Sequence, residues 1–221
     1  MCVILSLVCQ LTSLNSIILP GLQQQLLEAV HAANPNIVLV LMNGRPLAIP
    51  WAAEHVPAIV EAWHLGIESG NAIAQVLYGD YNPSGKLPMT LPRDVGQVPI
   101  YYNYKNTGRP GPKDVVFWSH YSVQVNTPLY AFGHGLSYTT FKYNDLKVSK
   151  KGKSCEVSVN VKNTGKTDGE EVVQLYIRDR VASVTRPVQE LKGFEKIMLK
   201  SGESQTVKFT LTDKELGFYN N

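Results

Sequence analysis

The chain has 221 residues, of which 44% are hydrophobic and 18% charged, so it can bury a core and is not disordered by composition. The formal net charge is only +3, which excludes a strongly basic nucleic-acid binder or an acidic tail protein. The imbalance lies in the second part: residues 141–221 carry 15 basic and 11 acidic side chains, interspersed as on a solvated sheet surface. Cys2, Cys9 and Cys155 form no CxxC or zinc spacing and indicate neither a disulfide framework nor a structural metal. No run of 18 apolar residues exists, so no membrane span is expected.

The N-terminal stretch, Met1–Ser16, is apolar like a signal peptide, but it lacks a basic n-region, the first Lys or Arg of the chain being Arg45, and it has no small-x-small cleavage site. It reads alternatively as a buried or truncated segment, or as sequence that is not native to the chain. Pro20 and Gly21 then open a helical pattern with Leu22, Leu26, Val30 and Ala33 on one face, stopped by Asn34-Pro35-Asn36. Ile37–Met42 is an uninterrupted apolar, β-branched run, which predicts a parallel strand buried on both faces. A turn at Asn43-Gly44-Arg45-Pro46 leads toward a second buried strand at Ala58–Trp63. Ser69 is placed to cap a helix over Asn71–Leu77 that ends at Gly79. This alternation predicts α/β architecture with right-handed crossovers.

Residues 80–140 are rich in Pro, Gly, Asn and Tyr and predict a long, irregular connection. From Asn144 the hydrophobic period becomes two. Cys155, Val157, Val159 and Val161 alternate with polar residues, as do Val173, Leu175 and Ile177, and Val207, Phe209 and Leu211. With turns at Asn163–Lys166 and Lys200–Glu203, this predicts a β-sandwich of about five strands against the roughly seven of an immunoglobulin-like domain. The sandwich is therefore expected to be truncated.

No nucleophile elbow, P-loop, dinucleotide fingerprint or HExxH motif occurs. His31, His55, His64, His120 and His134 lack ligand spacing and read as structural or surface residues. Glu61 and Glu68 flank a strand end, where α/β folds bind ligands, and a glycosidase needs two neighbouring carboxyl groups. The plainer reading is preferred: Glu61 closes a strand, and Glu68 sits before a helix N-terminus. Arg45 either clamps an anion or sugar hydroxyl or, preferably, braces its turn through carbonyls. Tyr101, Tyr102 and Tyr104 are either sugar-stacking or loop-packing residues.

Five segments taken together resemble the C-terminal part of glycoside hydrolase family three β-glucosidases: Val40–Pro46, Ala62–Ala74, Leu77–Pro88, Tyr130–Phe141 and Leu191–Lys196. The resemblance covers about residues 19–219. It implies the end of an α/β sandwich domain (19–100) after an atypical segment (1–18). A linker loop (101–142) and an incomplete fibronectin type III-like domain (143–221) would follow. It also implies retaining hydrolysis of β-glucosides or oligosaccharides, with an Asp nucleophile on a preceding barrel and a Glu acid/base on the α/β domain. No barrel is present here, Met1–Ser16 contains no Asp or Glu, and Ser119–Val123 has His120 and Val123 where the family's loop carries Arg and Asp. No residue of this chain is thus given a catalytic, cofactor-binding or metal-binding role, and the isolated chain is expected to be inactive. The resemblance also implies a periplasmic or extracellular setting. The rival reading is a non-catalytic carbohydrate-binding or scaffold module, with glycan affinity in residues 80–221 as its discriminator.

Overall fold

The computed structural model describes residues 2–6, 16–106, 108, 119, 121, 122 and 124–219. The chain forms two compact units. One gathers Met1–Leu77, Pro88–Tyr102 and Pro112–Phe132, and the other Tyr78–Leu87, Asn103–Gly111 and Gly133–Asn221.

The first unit is built on a parallel sheet in the order β1-β2-β3, from β1 (Cys2–Ser6), β2 (Val38–Met42) and β3 (Ala58–Glu61). The central strand is buried on both faces, as its unbroken apolar sequence predicts. Leu39 and Leu41 join Leu19, Leu27, Leu47 and Ala52 in one cluster, while Val40 meets Ala62 and Ile73 in another. Helix α1 (Gln23–Ala33) supplies Leu27 to the first cluster, and α3 (Ser69–Tyr78) supplies Ile73 to the second.

Several local details differ from the sequence reading. The buried face of α1 runs through Val30, as expected, but through Leu27 in place of Leu26, and Leu22, Leu26 and Ala33 are exposed. Gly21 has φ +56, so the chain turns there and Pro20 stays outside the helix. A six-residue helix, α2 (Pro50–His55), starts on its proline and is too short to show a helical period. Strand β3 is a half-exposed edge rather than a second buried strand. It stops before Trp63, whose φ of +53 is incompatible with extended pairing. Ser69 lies inside α3 rather than capping it, because the Ala72 N–H already bonds the Glu68 carbonyl. The N-terminal apolar stretch contains β1, which pairs in register with β2 from Cys2↔Val38 to Ser6↔Met42.

The second unit is a β-sandwich. One sheet has the order β4-β5-β8, from β4 (Phe141–Lys151), β5 (Ser154–Asn163) and β8 (Ser204–Leu211). The other pairs β6 (Gly169–Ile177) with β7 (Glu190–Leu199). All pairings are antiparallel. Val161, Val173, Ile197, Leu199 and Val207 form the core, so the period-two alternation points its apolar members inward as expected. A single helical turn, α4 (Asp213–Leu216), follows β8 with a capping box between Thr212 and Glu215.

Asn163, fully buried at the end of β5, uses its whole amide. Its Oδ1 accepts from Thr139 Oγ1 (2.6 Å) and the Gly165 N–H (3.0 Å), and its Nδ2 donates to the carbonyls of Thr167 (2.9 Å) and Leu199 (3.1 Å). Segment 78–87 also belongs to this unit. Tyr81 donates to Glu170 (2.6 Å), Asn82 donates to the Asp168 carbonyl (2.9 Å), and Lys86 pairs with Glu171 (3.0 Å). Glu171 also accepts from the Tyr143 hydroxyl at 2.7 Å.

Two stability predictions follow from these contacts. Leu39→Asp places an unpaired charge in the centre of β2 and should cost at least about 4 kcal/mol, or abolish folding of the first unit, read as the loss of its unfolding transition in urea. Asn163→Ala leaves buried donors and acceptors unmade and should cost about 3 kcal/mol in the sandwich transition, with Asn163→Asp hardly better because it cannot donate.

Candidate functional site at the C-terminal ends of the parallel strands

Because β2 and β3 are parallel, both end at the same edge of the sheet, the edge at which open α/β sheets bind ligands. Immediately after β2, Asn43 is fully buried. Its Nδ2 donates to the Arg45 carbonyl at 2.8 Å, closing the turn, while its Oδ1 is buried with no hydrogen-bond partner among the described residues. Glu61, the last residue of β3, accepts the Trp63 N–H on Oε1 at 3.3 Å, and its Oε2 is likewise buried without a partner. Burial pushes the Glu61 carboxyl up to about 7, against the opposing pull of the Trp63 N–H and the Asn43 side chain.

The surrounding backbone is equally constrained. A Cβ on Gly44 would lie 2.6 Å from Nε2 of the exposed His64 side chain, so a larger residue there would make the imidazole swing aside. Trp63, at φ +53, occupies a conformation that costs a non-glycine residue about 1 kcal/mol or more. Arg45 donates from Nη2 to the Ser16 carbonyl at 2.9 Å, so it braces the chain through a carbonyl, though one 29 residues away rather than in its own turn.

The other candidates fall elsewhere. Glu68 is exposed and accepts from the Asn71 amide one turn later, while Glu61 is grouped with Asn43. Tyr102 stacks on Phe132 with ring centroids 4.2 Å apart, a packing role, and Tyr101 and Tyr104 are exposed. His31 and His55 flank Trp51, His55 stacking on it at 4.5 Å. Burial and the nearby Lys86 charge lower the pKa of His134. Cys9, His120 and Val123 lie outside the described residues, as do the side chain of Cys2 and most of the Gly108–Pro112 stretch. Among the described residues no three metal-ligating side chains gather, and no helix is long and apolar enough to cross a membrane. Sequence reasoning missed Asn43 as a buried polar centre. The Asn-Gly pair after an apolar strand signals a turn, but nothing local tells a buried turn asparagine from an exposed one.

A parallel α/β unit and an antiparallel β-sandwich in one chain define a two-part architecture that known proteins share. Residues 10–138 match the C-terminal domain of glycosyl hydrolase family 3, and residues 171–221 match a fibronectin type III-like domain. The chain belongs to glycosyl hydrolase family 3. It is 49% identical over 215 residues to a periplasmic β-glucosidase of Salmonella typhimurium, covering 95% of this chain and 28% of that protein. It is 46% identical over 208 residues to a β-xylosidase of Formosa agariphila, covering 90% of this chain and again 28% of the relative. The crystal structure of a Listeria innocua β-glucosidase in complex with isofagomine superposes with a TM-score of 0.90 at 43% identity, over 94% of this chain and 30% of that one. The chain thus spans under a third of the length of these relatives.

The Glu61 environment sets a pH dependence. Its folded-state pKa lies above its ordinary value of 4.5, so the folded form holds a proton that the unfolded chain releases. Stability from this group is full below about pH 4.5 and is lost as pH rises toward 7, by on the order of 2 kcal/mol after allowing for partial exposure. Glu61→Gln should flatten that interval and make the first unit more stable than wild type at pH 8, as read from urea unfolding at pH 5 and pH 8.

Proposed function

We propose that this chain provides the C-terminal α/β and fibronectin-like portion of a retaining β-glucosidase, and that the 221 residues alone do not hydrolyse β-glucosides. The observation that carries the reading is the coverage: more than nine-tenths of the chain aligns with under a third of a β-glucosidase. Relatives crystallised with laminaribiose and with glucose support terminal β-glucosyl groups as the substrate class.

Retaining hydrolysis needs one carboxylate to attack the anomeric carbon and a second carboxyl group about 5 Å away to protonate the leaving oxygen. Glu61 has one oxygen tied to the Trp63 N–H and the other buried, while Glu68 is occupied by Asn71 on an exposed loop. Neither is assigned to catalysis, and we place both reacting carboxyl groups outside this chain. The role left to Asn43, Gly44, Glu61 and His64 is to hold the strand-end loops in one conformation.

The test is hydrolysis of an aryl β-glucoside by the purified chain. The expected result is no turnover above buffer. Turnover that survives repurification and disappears in Glu61→Gln or Glu68→Gln would overturn the reading.

A further inference from the structure

The loop joining β6 to β7 borders an open cavity of about 470 Å³, within the roughly 300–1,000 Å³ range of small-ligand sites. Its lining includes Arg178, Arg180 and Arg186, with Asp179 as the one carboxylate among the described residues. Asp179 is spent on the loop itself, accepting the Val181 N–H at 3.2 Å. Arg178 and Arg180 are exposed, and neither side chain has a carboxylate or carbonyl partner among the described residues.

Arg186 is held differently. Its Nη2 pairs with Glu190 at 2.8 Å, and its guanidinium lies 4.3 Å from the centre of the Phe218 ring. Glu190 is shared with Lys192 at 3.6 Å, so one carboxylate answers two cations. The Arg186 Nε–H is buried with no acceptor, a donor that the fold leaves unmatched. The loop's return is pinned beside Arg186, where Lys105 bridges Pro187 and the Val188 N–H bonds the Tyr104 carbonyl at 2.9 Å.

We propose that this cavity binds an acidic oligosaccharide, with the planar carboxylate of a uronic-acid residue seated between Arg178, Arg180 and Arg186. A guanidinium fork matches a carboxylate in two parallel hydrogen bonds, and surplus positive charge in a concave site draws an anion. Ser183, Thr185 and Asn106 add neutral donors and acceptors suited to the hydroxyls of the same sugar. Among the described residues no aromatic side chain lines the cavity, which disfavours the base stacking that single-stranded nucleic acid uses. The site is independent of the hydrolase reading and would operate whether or not the chain belongs to an active enzyme.

The test titrates the whole chain with a galacturonic-acid hexamer by calorimetry. Laminarihexaose, a sulfated oligosaccharide and a short single-stranded DNA serve as comparisons. The uronate hexamer should bind at least tenfold more tightly than each of the other three. Arg178→Ala/Arg180→Ala, an exposed pair whose removal spares the core, should bring it down to the level of the neutral hexamer. Arg186→Lys, which keeps the charge but removes the fork, should weaken it severalfold. Absence of uronate binding at about 1 mM, equal or tighter binding of the sulfated sugar or the DNA, or affinity unchanged in the double variant would each overturn the proposal.

Discussion

The burial of β2 on both faces is the constraint from which the first unit follows. A strand with no solvent-facing side cannot place a polar residue until it ends, so the first polar side chain after Val38–Met42 arrives where the chain must also turn. Asn43 is therefore buried by necessity, and its amide has to be matched locally. It is matched on one side only, by the Arg45 carbonyl. Burial is what keeps the Glu61 carboxyl neutral more readily than an ordinary glutamate, while the Asn43 side chain pulls the other way. Packing, turn chemistry and electrostatics at this edge are one problem with one solution.

The sandwich solves a different problem. Five strands in two sheets give a small apolar core, and polar side chains with every valence used hold its ends in register. Asn163 satisfies two donors and two acceptors across the β5–β6 turn and the end of β7. Glu171 receives Lys86 and Tyr143 in the same way, and the Lys86 ammonium also donates to the Gly135 carbonyl at 3.1 Å. Fully answered groups of this kind fix geometry more than they add net energy, because desolvation offsets much of the attraction.

What the sequence made legible is what periodicity encodes. The unbroken run at 37–42 and the alternation from Cys155 onward each depend on burial along a single element, and both appear where expected. On α1 Val30 faces the core as its period predicts, but Leu22, Leu26 and Leu27 are equally apolar and only the tertiary packing selects Leu27. Helix α2 is shorter than two turns and leaves no period. Strand β1 lies in an apolar stretch whose composition fits several fates. At the site, Glu61 stood out as a carboxylate at a strand end, but its pairing with Asn43 depends on the lateral spacing of two strands, which no linear pattern carries.

The path of the chain has an evolutionary consequence. Leu77 closes one unit, the next ten residues join the other, and at Pro88 the chain returns to the first. A recombination event that cut once, anywhere between the helix at 69–78 and the first sandwich strand, would separate some residues from their own unit. A sandwich inherited from Gly133 onward would arrive without Tyr81 and Lys86, leaving Glu170 to its ion pair with Lys196 and Glu171 to the Tyr143 hydroxyl. Gene shuffling should therefore transmit these two units as a pair, and a lineage that carries one should carry the other in the same order.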